Sequence, residues 1–170
     1  MPRHTTIGRI SHGDDPLAYL LTWTTYGTWL PGDDRGWVEK PGQFREPDIE
    51  RQRQRQALMR MTESAIVLDA EQRAIVESVI RRHCEIRKWT LHAVQCRTNH
   101  VHVVVTADRH PDVILDQLKS WCMRLLKEEQ KKRCPTEPTR SNWWTQRGSK
   151  QSINDEDGLA RANAYVLEGQ

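Results

Sequence analysis

Residues Arg97 to Val105 read RTNHVHVVV. Successive side chains of a strand point to opposite faces, so His100 and His102 look one way and Val101 and Val103 the other. In a strand the two histidines stand about 6.5–7 Å apart at Cα. Upstream, Trp89–Cys96 (WTLHAVQC) alternates cleanly. Only Arg97-Thr98-Asn99 separates the two runs, which predicts a β-hairpin. The valines ask for an apolar layer on their side. Unpartnered imidazoles in the middle of an apolar sheet would be costly. Two neutral imidazoles at this reach can chelate one divalent cation. The same pattern also fits two half-exposed histidines with no ligand.

The rest of the chain arranges itself around this hairpin. Leu17–Thr25 (LAYLLTWTT) predicts a first strand. Leu30–Pro47 is rich in glycine and proline and predicts a loop. DIERQRQRQALMR follows as a polar piece, helical or coil, carrying Arg51, Arg53, Arg55 and Arg60. Leu68–Lys88 predicts a helix capped by Asp69, with a stripe of Ile75, Val76, Val79, Ile80 and Ile86. Pro111–Lys132 predicts a second, with Pro111 in its first turn and Val113, Ile114, Leu118, Trp121, Leu125 and Leu126 towards the core. Trp143–Ile153 predicts a short strand or ribbon. Asn154 or Asp155 then caps a last helix to about Glu168, which Gly169 is placed to end. The order strand, helix, strand, strand, helix, strand is that of an α+β, ferredoxin-like antiparallel sheet with helices on one face. To it are added a long arm after the first strand and a C-terminal helix that bears a tyrosine.

A chain of 170 residues suits a single domain over 1–170, with a flexible leader over 1–15 and an arm over 30–66. The charge balance, 26 basic against 23 acidic residues, is too slight to establish nucleic-acid binding. No apolar run reaches the roughly 18 residues that span a bilayer, and the first residues lack the apolar core of a signal peptide. A cytoplasmic protein without a membrane partner is expected. Cys84, Cys96, Cys122 and Cys134 form no Cys-x-x-Cys pair, which argues against a zinc ribbon and for reduced thiols. Seven tryptophans against one phenylalanine leave two readings, an indole-rich core or platforms for stacking bases.

Of the three tyrosines, Tyr165 lies on the last helix, with Glu168 at i+3 and Gln170 at i+5. Residues i and i+3 share a helix face, so Tyr165 and Glu168 can approach one metal together. A phenol attacking a phosphodiester needs such a cation to neutralise the phosphate. A tyrosine packed in the apolar stripe beside Val166 and Leu167 is the plainer alternative.

TNHVHVVV, the long helix after it, and WWTQRGSKQSINDEDGLARANAYVLEGQ together resemble the HUH-type single-strand DNA transposases with one catalytic tyrosine, among them the REP-associated tyrosine transposases. TWTTYGTWLPGDDRGWV is similar to a longer-armed branch of that group. The resemblance runs from about Leu17 to Gln170. It implies that His100 and His102 hold Mg²⁺ or Mn²⁺ and that Tyr165 attacks single-stranded, hairpin-forming DNA. The products would be a 5′-phosphotyrosine link and a free 3′-OH. It also implies a third metal ligand one helical turn after the tyrosine. That position is Gly169 here, so the resemblance points to Gln170 and helix geometry to Glu168. Phosphate contacts would come from Lys119, Arg124 and Lys127 on the second long helix and from Arg147 and Lys150 beside the last strand. A homodimer that exchanges tyrosine helices is implied as well.

Two other functions compete. A relaxase or replication initiator of the same HUH chemistry would place its tyrosine ahead of the histidines, at Tyr19 or Tyr26. A non-catalytic ferredoxin-like nucleic-acid-binding module would present aromatics on its sheet.

Overall fold

In a computed structural model of the chain, residues 15–28 and 47–168 are described, residues 47–50 as backbone only. The expected leader apart from Asp15, the stretch 29–46 of the arm, and Gly169 and Gln170 lie outside these residues.

Strands β1 (Ala18–Thr24), β2 (Thr90–Cys96), β3 (His100–Thr106) and β4 (Ser149–Ile153) form one sheet in the order β2-β3-β1-β4, each pair antiparallel. Helices α1 (Pro47–Met59), α2 (Ala70–Arg87), α3 (Pro111–Arg133) and α4 (Glu156–Glu168) complete the described chain. This is the expected ferredoxin-like arrangement, with α2 and α3 side by side on one face. The tyrosine-bearing α4 lies across the other face, against β2 and β3. Among the described residues no helix is long and apolar enough to cross a membrane.

Alternation sorts the strands into two layers. Leu21, Trp23, Val101, Val103 and Val105 pack with Val76, Ile80, Ile114, Leu118 and Leu126 of α2 and α3. On the opposite side a smaller cluster joins Ala18, Ala93, Val104 and Ile153 to Ala162 and Val166 of α4. Asp69 caps α2 as expected: its carboxylate accepts from Gln72 N at 2.8 Å, while Gln72 Oε1 accepts from Asp69 N at 3.0 Å. On α3 the apolar stripe runs at i, i+4 spacing through Ile114, Leu118, Cys122 and Leu126, all fully buried. Val113 and Trp121 each lie one residue off that line, about 100° round the helix, and are exposed. Their expected core placement therefore fails, and so does that of Ile86 at the end of α2, which is also exposed.

Most described tryptophans belong to the core. Trp23 and Trp143 are fully buried, and Trp144 meets Trp23 edge-on at 6.1 Å between ring centroids. The expected ribbon from Trp143 shortens to a single bridge between Thr25 and Trp144, and β4 proper begins at Ser149. Gly148 makes that approach feasible. A Cβ there would stand 2.7 Å from the Thr22 carbonyl oxygen and 2.9 Å from a Leu115 methyl.

Candidate active site

β3 presents His100 and His102 on the α4 face, opposite Thr24 and Thr22 of β1. The imidazoles are 4.7 Å apart between centroids. His102 is 7 % exposed. Each ring is held at Nδ1: His102 by Thr22 Oγ1 at 2.8 Å, His100 by Asn99 Oδ1 at 2.7 Å. An amide oxygen only accepts, so His100 Nδ1 carries the proton and Nε2 keeps its lone pair. Thr22 can accept in the same way and leave Nε2 of His102 bare. Metal-binding histidines are oriented by such a second hydrogen bond.

Electrostatics favour neutral rings. Burial lowers the pKa of His102 to about 4, helped by His100 and by the Arg97 guanidinium. Burial, then Arg97, also lowers that of His100. Arg97 stands at the hairpin turn, its Nε donating to Gln95 Oε1 at 3.0 Å. At neutral pH both imidazoles are therefore neutral donors rather than cations. Two neutral imidazoles offer nitrogen donors to a divalent cation, and Mg²⁺ or Mn²⁺ there would need its remaining positions filled by oxygen.

Tyr165 comes down onto this pair from α4 of the same chain. Its ring centroid is 5.4 Å from that of His102, at 76°. It is 45 % exposed, unlike its neighbour Val166, which is fully buried against the sheet. Tyr165 thus lies outside the apolar stripe of its helix. Asp155 starts α4, accepting from Gly158 N at 2.6 Å through its side chain. Between α4 and the β1–β4 edge lies a cleft of about 760 Å³, bordered by His100, His102, Tyr165, Gln151, Asp155 and Arg161.

The other expected site residues scatter. Among the described residues no three His, Cys, Asp or Glu side chains form a metal-binding group, so Glu168 is not gathered with the histidines. Gln170 lies outside the described residues. Lys119 is not a surface cation: only 8 % exposed, its ammonium donates to the carbonyl oxygens of Thr145 at 2.6 Å and Gln146 at 3.2 Å. It braces the loop into β4, and burial lowers its pKa. Arg124 pairs with Glu128 at 3.3 Å and lies over the Trp121 ring, on the α3 side of the sheet. Lys127 is half-buried on the same helix. Lys150 pairs with Asp112 at the start of α3, again away from the histidines. Arg147 is exposed in the loop before β4. Arg161, which sequence reasoning passed over, is the cation that lines the cleft. Its signal was present in the i, i+4 spacing to Tyr165.

Neither alternative tyrosine reaches the pair. Tyr19 faces the α2–α3 layer at the far end of β1, opposite Val105. Tyr26 accepts from Thr62 N at 3.1 Å under the Arg140 guanidinium. The α4 face of the described strands also carries no Phe, Tyr or Trp ring, because Tyr19 and Trp23 point the other way.

The family model for IS200-like transposases matches residues 54–168. A search of curated proteins finds no match. Among solved structures, the chain is similar to a candidate transposase of Deinococcus radiodurans R1. Identity is 15 %, coverage is 96 % of this chain and 97 % of that one, and the TM-score is 0.51, a likeness of fold. A REP-associated tyrosine transposase bound to a REP hairpin aligns at 11 % identity and a TM-score of 0.48, over 88 % of this chain. The chain spans 63 % of the length of that relative.

Proposed function

Because the chain belongs to the IS200-like transposase family, we propose that it is a metal-dependent single-stranded DNA endonuclease and strand transferase with Tyr165 as nucleophile. The observation that carries this reading is the 5.4 Å approach of the Tyr165 ring to His102 across an open cleft. Tyr165 Oη attacks phosphorus and gives up its proton. The bond from phosphorus to the 3′-oxygen breaks, and that oxygen leaves as a 3′-OH. The enzyme keeps the 5′ end as a phosphotyrosine, which stores the bond energy for a later attack by a 3′-OH. No nucleotide cofactor is needed.

His100 and His102 would hold Mg²⁺ or Mn²⁺, which when bound neutralises charge on the scissile phosphate. Asn99 and Thr22 fix the rings that do so. Gln170 remains the candidate for a further ligand, since Glu168 is not gathered with the pair. Hairpin-forming single-stranded DNA is the expected substrate. A homodimer that exchanges tyrosine helices is the expected assembly, and within one chain the Tyr165 ring already stands 5.4 Å from that of His102.

The test is a covalent adduct. Protein incubated with single-stranded hairpin oligonucleotides and Mg²⁺ or Mn²⁺ should yield a protein–DNA band, and Tyr165→Phe should abolish it. His100→Ala should abolish metal-dependent cleavage while leaving most DNA binding. An undiminished adduct in Tyr165→Phe would refute the assignment.

A further inference from the structure

Arg161 precedes Tyr165 by four residues on α4. The two therefore leave the helix on one face, about 6 Å apart along its axis. Both line the cleft, as do His100 and His102. Among the described residues lining that cleft, Arg161 is the only permanently charged cation. It is exposed, and no hydrogen bond or ion pair ties it to another described residue. Asp155, the acid lining the same cleft, spends Oδ1 on Gly158 N instead.

The direction of the side chain matters as much as its charge. Helical side chains lean towards the N-terminus. A Cβ added to Gly158 would stand 3.7 Å from a guanidinium nitrogen of Arg161, so the guanidinium lies over the first turn of α4. Asp155 Oδ1 stands nearer to the same point, at 3.0 Å. The Tyr165 ring lies further along α4, beside the histidines. A strand reaching Tyr165 with one phosphate would bring a neighbouring phosphate towards the guanidinium. Its planar fork suits two phosphate oxygens.

We propose that Arg161 anchors the backbone phosphate next to the one that Tyr165 attacks, on single-stranded DNA lying in the cleft along β1 and β4. This rests on the function proposed above. It assigns the strand a track and sets where along it the tyrosine strikes.

The experiment moves a single uncharged methylphosphonate linkage through the target strand and measures binding with Mg²⁺ by fluorescence anisotropy. Tyr165→Phe protein is used, so that chemistry does not intervene. Adding Arg161→Ala should weaken binding of the all-phosphate strand about tenfold, the scale of one charge-assisted contact. The salt slope should fall by about 0.7, the share of one phosphate on a single strand. Arg161→Lys should recover part of the loss, and Arg161→Gln should behave as Arg161→Ala. One neutral linkage beside the cleaved bond should weaken binding by the parent and cause no further loss in Arg161→Ala. If every linkage position costs both proteins the same, the anchor is wrong.

The adduct assay on the Tyr165-containing protein separates the two readings. An adduct without coupling at any linkage keeps the chemistry and removes the anchor. Coupling without an adduct keeps the anchor and removes the chemistry.

Discussion

The two faces of the sheet are built from the same strands and could hardly differ more. Towards α2 and α3, β3 offers Val101, Val103 and Val105, all fully buried, and β1 offers Leu21 and Trp23. Towards α4 the same strands offer His100, His102, Thr22 and Thr24, and only Val104 and Ala18 are buried apolar residues. One face has two long helices over it. The other has α4 and, beside it, an open cleft. The first face supplies stability and rigidity, so the second can afford polar groups held in place by their neighbours. A site built on strands inherits the precision of the core behind it.

Truncation at the closed face should cost most. Leu118→Ala should destabilise the fold by about 2–5 kcal/mol, because a fully buried leucine leaves a cavity that two helices and a sheet cannot fill. Chemical denaturation measures it. A cost under about 1 kcal/mol would mean that the two faces share the load more evenly than their packing indicates.

The histidine face should reveal itself through pH. The folded chain holds His102 at about 4, against an ordinary 6.5. Between those values the unfolded chain binds a proton that the folded chain does not. Stability from this group is therefore complete above about 6.5 and is lost as pH falls to about 4. The whole loss amounts to about 3 kcal/mol. Burial also lowers the pKa values of His83 and His100, which tilt stability in the same sense. Denaturation of metal-free protein at pH 7 and pH 5 should show the slope, and His102→Val should flatten most of it. An unchanged slope in that variant would place the pH sensitivity elsewhere.

The smallest effect concerns orientation alone. Thr22→Val keeps the shape of the side chain but removes the partner of His102 Nδ1. Mn²⁺ affinity by calorimetry should fall roughly tenfold, at the low end for loss of a hydrogen bond behind a metal ligand. Unchanged affinity would show that strand geometry holds the ring without help.

Much of this was legible in the chain itself. Alternation in RTNHVHVVV placed the histidines on one face, and its first three residues, Arg97-Thr98-Asn99, sufficed for the hairpin. Asp69 announced α2 by its capping chemistry. Tyr165 stood out as the tyrosine on the last helix. The misreadings concern residues whose role depends on what lies across from them. Lys119 looked like a surface base. Only the return of the chain through Thr145–Arg147 surrounds it with carbonyl oxygens. Trp121 looked like core, because a stripe read from residue type alone is broader than the line of close contact.

Local spacing by itself therefore determined the strand grammar, the helix limits and the shared face of His100 and His102, because these follow from periods of about 2 and 3.6 residues. What tertiary structure decided was which groups meet across long sequence separations. Tyr165 comes to His102 because Val166 and Ala162 of α4 are buried on the histidine side of the sheet, which turns the next residue round the helix into the cleft. The same burial turns Arg161 towards that cleft and leaves the bases of α3 behind the sheet. No short-range pattern encodes which face a helix will cover. That choice is made by the apolar area each face has left to bury.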